Sequence, residues 1–305
     1  MYQFIVNPKA GNGLAAVWWR RLAGYLDAGG VEYATHLTSA PGDGAEIARS
    51  LTEGCKDPQV IVVVGGDGTV GEVLDGLSFY AGLTLGYIPV GARNTLARSR
   101  HFPRDPVKAL KRILAADHCH HMDYGILSWS SGTGSLCHRR FAVNAGIGLN
   151  ATVCRDVQEK RSGAKCGRME IMRSGIRNLR RFQPVKGYIV LDGVKRVEFT
   201  RIAFISAHIQ PYEGGGFRLL PNACDCDGLL SVCVVSHASH NRLLSILIEA
   251  LLGSKAKRKG MRLYECSELR IHTDVPQPVH SDGEYCGMHT DLQISCSQRK
   301  LRIIE

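Results

Sequence analysis

The residues of this sequence best placed to do chemistry lie in one short run, Gly65-Gly66-Asp67-Gly68-Thr69. It sits between the β-branched run Val60–Val64 and a helical periodicity at Val70, Val73, Leu74 and Leu77. Glycines let a backbone approach a phosphate without a Cβ in the way. The following helix offers its free amides and the positive end of its dipole. A carboxylate in such a loop repels phosphate unless Mg²⁺ or an ordered water lies between them, which makes Asp67 a candidate metal–nucleotide ligand. A plain tight turn is the competing reading. No Gly-x-x-x-x-Gly-Lys-Ser/Thr run is present and the loop does not fit Gly-x-Gly-x-x-Gly, so neither a P-loop protein nor a Rossmann dehydrogenase is expected. Cys224-x-Cys226, and Cys119 among His118, His120 and His121, have ligand chemistry but lack the second half of a zinc site. Asp227-Gly228 and Asp282-Gly283 read, by themselves, as turns between strands.

The elements that must position the glycine loop alternate strand with helix. Tyr2–Val6 reads as a strand ending at Asn-Pro, and Leu14, Trp18, Leu22 and Leu26 as a helix closed by Gly29-Gly30. Val31–Thr35, Val60–Val64 and Leu83–Ile88 read as strands. Asp43–Glu53 (Ala45, Ala48 and Leu51 inward), 69–80 and the stretch around Val107, Leu110, Ile113 and Leu114 read as helices. This pattern predicts a doubly wound α/β nucleotide-binding domain over residues 1–125. Beyond Asp123 short strand-like runs take over: Arg140–Asn144, Gly187–Leu191, Val197–Ser206, Leu229–Val235, Leu269–Thr273, Leu292–Cys296 and Leu301–Ile304. Helical stretches interrupt them near 166–182 and 240–253. The second domain, 126–305, is therefore expected to be a β-sandwich or barrel-like fold, with its last strand open to packing back on the first domain.

Composition narrows the classes. A chain of 305 residues with 44% hydrophobic content and no low-complexity tract suits two folded domains. The opening MYQFIVNPKAGNG lacks a basic segment followed by an apolar one, so no signal peptide is expected. The longest apolar stretch, Leu243–Leu252, contains Glu249 and falls far short of the ~20 residues that cross a bilayer. Eleven cysteines without paired spacing read as reduced thiols. The net charge of +10 concentrates in two stretches: Arg155–Arg181, with nine basic and three acidic residues, and Lys255–Arg262, with five basic ones. Anionic membrane, polyphosphate or nucleic acid would each answer such charge, and so would a merely solvated face. No helix-turn-helix, zinc finger or aromatic RNA-binding motif supports nucleic acid.

Asn7-Pro8-Lys9-Ala10-Gly11, then GGDGT, then Pro89-Val90-Gly91-Ala92-Arg93-Asn94, resemble the three nucleotide-site motifs of the diacylglycerol kinase catalytic family. That family includes bacterial lipid kinases and sphingosine and ceramide kinases. The likeness runs on through Phe141–Gly148, through Gly214-Gly215-Gly216 with Pro221, Ala223 and Asp227-Gly228-Leu229-Leu230, and through Asp282-Gly283-Glu284. It implies an ATP-dependent kinase that phosphorylates a lipid hydroxyl, diacylglycerol-like or sphingoid, by direct in-line transfer. ATP would be surrounded by Asn7, Pro8, Lys9, Ala10 and Gly11, by Thr38, by Gly65 and Gly66–Glu72 (Gly66, Asp67, Gly68, Thr69, Val70, Gly71, Glu72) and by Asn94. Thr69 can donate its hydroxyl to phosphate, and Glu72, one turn into the helix, can brace the loop. Asp227 matches a Mg²⁺ ligand, with carbonyls of Cys224 and Leu229 beside it, a set of oxygens that suits a hard cation. Asp282 matches the general base, and Glu284, two residues on, would orient it or reach the metal network. The acceptor lipid is expected between the domains. The implied partners are ATP and a lipid at an anionic membrane surface, with no nucleic acid; a homodimer is left open. The expected location is cytoplasmic, on the inner face of the membrane.

The third motif departs from the bacterial pattern Gly-Thr-x-Asn-Asp. Ala92 stands where a threonine would touch ATP, and Thr95 where an aspartate would join the metal–water network. Arg93 offers a charge to phosphate instead. Two rivals remain: an NAD kinase-like enzyme, which shares GGDGT, and a catalytically impaired relative that binds lipid or nucleotide.

Overall fold

The structure, a computed structural model, describes residues 1–116, 118–132, 134–159, 168–253 and 260–305. The chain divides into one unit of Met1–Met122 with Arg299–Glu305 and a second of Asp123–Gln298. The middle of the first basic stretch (160–167), and Lys255, Lys257, Arg258 and Lys259 of the second, lie outside the described residues.

The first unit runs β1 (Tyr2–Val6), α1 (Leu14–Ala28), β2 (Tyr33–Leu37), α2 (Asp43–Thr52), β3 (Gln59–Gly65), α3 (Asp67–Gly76), β4 (Leu83–Pro89), α4 (Thr95–Ser99), α5 (Pro106–Ala115) and β5 (Cys119–Met122). Its sheet has the order β2-β1-β3-β4, continued by β15 (Leu301–Ile304) and then β5. The first four strands are parallel. β15 lies parallel to β4 and antiparallel to β5, so the last strand of the chain completes the sheet of the first unit. Residues alternate between faces along each strand. Phe4, Val6, Val62, Val64 and Ile88 pack under α1 and α5. Ile5, Ile61, Val63 and Leu85 point to the other face and are equally buried. Burial on both faces explains why β3 and β4 read as continuous apolar runs.

Three local expectations change. Leu14 is 56% exposed, and α1 buries Ala15 in its place beside the expected Leu22 and Leu26. The inward stripe of α2 is Gly44, Ala48 and Thr52 rather than Ala45, Ala48 and Leu51. Thr52 can face inward because its hydroxyl donates to Ala48 O (2.6 Å) and accepts from Ser78 N (2.8 Å). β2 begins at Tyr33 rather than Val31, since Val31 N is held by the end of α1.

The second unit contains β6 (Gly125–Ser130), β7 (Leu136–Phe141), β8 (Asn144–Gly148), α6 (Leu149–Glu159), α7 (Arg168–Arg181), β9 (Val185–Leu191), β10 (Lys195–His208), a single 3₁₀ turn (Gly214–Gly216), β11 (Leu230–Ser236), α8 (His240–Leu251), β12 (Met261–Cys266), β13 (Glu268–Ser281) and β14 (Glu284–Cys296). The sheet order is β12-β11-β10-β8-β13-β14-β6-β7. β10 and β13 are long enough to flank β8 along one stretch and β9 along another. That splitting gives the sandwich or barrel-like form, with Leu127, Phe141, Ile147, Ile189, Ile205, Val232, Leu269 and Ile294 in its core. The run expected as one strand over Arg140–Asn144 is instead the end of β7, a junction at Ala142-Val143, and the start of β8. Among the described residues, no helix is long and apolar enough to cross a membrane.

Candidate active site

In an open parallel sheet, ligands bind beyond the carboxyl ends of the strands where the strand order reverses. Here the chain moves outward from β1 to β2 and returns past β1 to β3, so the reversal falls between β1 and β3. The two loops leaving these strands carry Asn7–Gly11 and Gly65–Thr69. They are tied together: Asn7 N donates to Val64 O (3.0 Å), and Asn7 Nδ2 donates to Thr69 Oγ1 (3.1 Å). Thr38, buried at the end of β2, donates its amide to Val6 O (2.9 Å), and Lys9 Nζ donates to Ser39 O (2.8 Å). The loop after β4 closes from the other side, with Val90 N and Gly91 N both donating to Gly65 O (2.9 and 3.1 Å).

Glycine is required at this meeting point. A Cβ on Gly91 would lie 2.4 Å from Gly66 Cα, and one on Gly11 would lie 2.3 Å from Val90 O. Side chains there would force the loops apart, so the sequence leaves a bare backbone facing the first turn of α3. The amides of that turn have no intrahelical partner, and Gly66 at the cap offers no side chain to take them. An anion is the natural complement.

The polar side chains of the loops have specific duties. Asp67 accepts from Thr95 N (2.6 Å), Leu96 N (3.3 Å) and Thr95 Oγ1 (3.1 Å), and so caps α4. Burial pushes its carboxyl upward in pKa, against the Arg93 charge and these hydrogen bonds, which pull it down. Asn94 adopts a left-handed conformation (φ 48°), donates to Gly91 O (2.9 Å) and accepts from the Tyr87 hydroxyl (3.2 Å). Gly68 follows Asp67 in the first turn of α3; Val70 and Gly71 are buried core positions. Glu72 does not brace its own loop; its Oε2 accepts Gly44 N (3.2 Å), joining α3 to α2.

In the second unit, Asp282 and Gly283 form the left-handed pair (φ 48° and 80°) of the tight turn joining β13 to β14. The Asp282 carboxylate reaches the β7–β8 junction. Oδ2 accepts Ala142 N (2.8 Å), and Oδ1 accepts Val143 N and Asn144 N (both 2.9 Å). Asp282 N returns a bond to Asn144 O (2.8 Å). Glu284 does not share a strand face with Asp282, because Asp282 belongs to the turn. Glu284 forms an ion pair with Arg139 of β7 instead. In the loop before β11, Asp227 Oδ1 accepts Leu229 N (2.9 Å), Gly228 N donates to the buried Asp123 (2.7 Å), and Asp225 O accepts Asp123 N (2.7 Å). The sulfurs of Cys224 and Cys226 lie 3.2 Å apart.

These loops and their order match known families. A model described as the diacylglycerol kinase catalytic domain matches residues 1–127, and one described as the YegS C-terminal NAD kinase beta sandwich-like domain matches 143–305. The chain belongs to the diacylglycerol kinase catalytic family. It is thereby a kinase of the lipid kinase class, in a family that uses ATP. Diacylglycerol kinase from Bacillus subtilis is 24% identical over 94% of this chain and 90% of its own length. Diacylglycerol kinase from Mycobacterium tuberculosis is 26% identical over 92% and 87%. A crystal structure of a diacylglycerol kinase from Bacillus anthracis superimposes with a TM-score of 0.70 at 21% identity, covering 99% of this chain and 96% of that one, and so shares the fold.

Within the family pattern, Thr95 now has an observed partner. Where an aspartate would set a second carboxylate against Asp67, the threonine donates a neutral hydroxyl to it. Ala92 is exposed and brings no hydroxyl of its own. The loop of Cys224, Asp227 and Leu229 fits a hard cation in donor type: one exposed carboxylate, flanking carbonyls, and two further aspartates, Asp123 and Asp225, packed beside it. Among the described residues, no group of three or more His, Cys, Asp or Glu converges on a metal position, so such a cation would depend on carbonyls.

Sequence reasoning gave no role to Asn144, Asn150, Glu213 or His280, which the structure gathers in the second unit. The available signal was a carboxylate directly ahead of Gly214-Gly215-Gly216, where a chain entering a glycine run has little reason to carry a charge.

Proposed function

We propose that this chain transfers the γ-phosphoryl group of ATP to a lipid hydroxyl, directly and in line. The nucleotide belongs to the first unit, and the acceptor hydroxyl comes to Asp282 of the second. The observation that carries the reading is the bare-backbone meeting of Gly66 and Gly91 beyond β3 and β4, beside the uncapped first turn of α3. That surface suits the phosphates of a nucleotide, with Asn7, Lys9, Gly11, Thr69 and Asn94 around it. Phosphoryl transfer leaves little covalent work for the protein; it needs alignment, charge neutralisation and a carboxylate at the acceptor proton.

Mg²⁺ is the cofactor in this reading, and its charge would offset that of the phosphates. Asp227 with the carbonyls of Cys224 and Leu229 would hold a structural ion, and Asp67 would reach the nucleotide-bound one through water. Asp282 is the candidate base, and Glu284, held by Arg139, borders it. The acceptor is diacylglycerol-like or sphingoid and is taken from an anionic membrane, to which the basic stretches contribute about 1 kcal/mol per residue near the surface.

The test is a screen with γ-labelled ATP against diacylglycerol, monoacylglycerol, a sphingoid base and ceramide in mixed micelles. Label in the organic extract is the expected result. Label confined to an aqueous dinucleotide pool would make the enzyme an NAD kinase. Tight ATP binding without turnover on any acceptor would make it a non-catalytic binder, the outcome favoured by the loss of a hydroxyl at Ala92.

A further inference from the structure

The second unit contains a row of buried polar side chains that the motifs leave without a role. Gln210 lies just past the end of β10, is 2% exposed and donates Nε2 to Asp225 Oδ2 (2.6 Å). Asp225 is itself buried, and its carbonyl accepts Asp123 N (2.7 Å). A buried amide costs free energy unless it is paired, and a short bond to a carboxylate is among the stronger pairings open to it. The Gln210 side chain is thus anchored at its far end, and its backbone is left to hold what lies on the other side.

Two routes lead from Gln210 to the N–H groups that hold Asp282. The first is direct. Gln210 N and Ile209 N both donate to Val143 O (3.1 and 2.8 Å), and Val143 N donates to Asp282 Oδ1 (2.9 Å). The second runs back along β10. His208 Nδ1 lies 3.1 Å from Gln210 O, His208 Nε2 lies 2.9 Å from Ser206 Oγ, and Ser206 Oγ accepts Asn144 Nδ2 (3.4 Å). Asn144 N also donates to Asp282 Oδ1 (2.9 Å). Chemistry fixes the direction of this row. A carbonyl only accepts, so Nδ1 carries the imidazole proton. Burial keeps the ring neutral, with a pKa of about 4, so Nε2 is an acceptor and Ser206 donates to it rather than to Ala145 O at 3.4 Å.

We propose that Gln210, anchored by Asp225, is a positioning residue of the acceptor site: it fixes the backbone of Val143 and Asn144, and through it the Asp282 carboxylate, in the geometry used for transfer. The inference rests on the lipid kinase reading and adds a residue to it. The need for such a residue follows from the place of the cradle. Val143 lies between β7 and β8, where the ladder of one strand has ended and that of the next begins at Asn144. Its position therefore comes from the bonds that Ile209 and Gln210 make to it. A displacement of about 1 Å at a reacting group can cost about 10²-fold in rate, so a base held by backbone amides is only as well placed as that backbone.

The experiment uses the full chain. Gln210→Met keeps the bulk of the side chain and removes its amide. In this variant kcat for the lipid acceptor should fall by roughly tenfold or more, while Kd for ATP stays within about twofold. Added to Asp282→Asn, the same change should cost little further, because the carboxylate that it positions is already gone and residues acting as a unit do not add. A residue serving only the fold would lower the melting temperature without this pattern. Independently of turnover, hydrogen exchange at the amides of Val143 and Asn144 should quicken by about tenfold in Gln210→Met, with the amides of β3 unchanged. If Gln210→Met does not fold, Ser206→Ala, which removes one oxygen from the second route, carries the same comparisons. A kcat near wild type in the folded variant, losses that multiply in the double variant, or exchange at Val143 and Asn144 that keeps the wild-type rate overturns the inference. Quickened exchange in a protein whose wild type phosphorylates no lipid would instead bring down the lipid kinase reading and leave the Gln210 linkage standing.

Discussion

Replacing Asp282 by Asn separates a base from a backbone clamp, and the structure sets the size of each effect. The substitution keeps the shape and tolerates the left-handed turn, since Asn adopts φ near 48° readily. It keeps a single carbonyl, which can replace Oδ1 in accepting Val143 N and Asn144 N. The new amide nitrogen, however, must face the N–H of Ala142, a residue only 1% exposed, at the 2.8 Å now spanned by a hydrogen bond. One charge-assisted bond, at roughly 1.5–3 kcal/mol, is lost, and two others become neutral at about 1 kcal/mol less each. The sum is about 4 kcal/mol, which for a unit of this size lowers Tm by about 10 °C. A domain with ~5–15 kcal/mol of stability still folds at 20 °C. If Asp282 also accepts the acceptor's proton, turnover per folded molecule at 20 °C falls by about 10²–10⁴. Calorimetry and a γ-labelled ATP assay on the same sample read both effects. A melting point within about 2 °C of wild type refutes the clamp argument. Turnover per folded molecule that stays near wild type refutes the base.

Three further outcomes are expected. Gly91→Ala places a Cβ 2.4 Å from Gly66 Cα, and ATP affinity by titration calorimetry should fall about tenfold, with ~1–3 kcal/mol of stability lost to the forced separation of the loops. Thr95→Asp, restoring the bacterial pattern, sets a second carboxylate against Asp67; the urea midpoint should drop at pH 7 and recover as the pH is lowered and the pair comes to share a proton. His208 has its pKa lowered to about 4 by burial, so between roughly pH 6.5 and 4 the unfolded chain binds a proton that the native state refuses. The stability present above pH ~6.5 is therefore lost as pH falls through that window, at most ~3 kcal/mol, and the difference between His208→Gln and wild type in urea titrations should show that slope removed.

Much of the architecture was legible because it obeys simple periods. β3 and β4 are buried on both faces and read as continuous apolar runs, and α5 shows its stripe from Pro106 to Ile113. What was missed has a common cause. β5, β7 and β12 each end a sheet, so one side of each goes unpaired and their composition is mixed: Cys-His-His-Met in β5, and exposed Arg262 and Leu263 in β12. α4 is a five-residue helix held by Asp67 from another loop, a contact no local window contains. β13 and β14 ran longer than expected because Pro276 and Pro278 interrupt the signal where the register between the two strands shifts. The site was legible in its letters and less so in its directions. Gly11 and Gly66 stand out in the sequence as glycines, and the fold adds that Gly66 and Gly91 meet backbone to backbone, but Glu72 and Glu284 turned to Gly44 and Arg139, partners that only the fold brings near.

The carboxylates of the motifs show a shared pattern once their acceptor sites are counted. A carboxylate has roughly four lone-pair positions. Asp67 uses three of them on Thr95 and Leu96, and Asp282 uses three on Ala142–Asn144. Asp192, in a turn with no proposed chemistry, likewise takes Ser267 N, Ser267 Oγ and Glu268 N. An aspartate beside a glycine in a tight turn is thus a general device for stitching a loop to distant backbone, and the motif letters alone do not distinguish it from a catalyst. The distinction lies in what surrounds the remaining oxygen positions. Around Asp192 there is exposed surface. Around Asp67 there is the bare glycine backbone beside an uncapped helix, and around Asp282 there is a buried row that runs through Asn144 to Ser206 and His208. Only the last two settings couple a fixed carboxylate to groups able to bind an anion or hold a proton, and the proposed phosphoryl transfer therefore draws on them and not on the third.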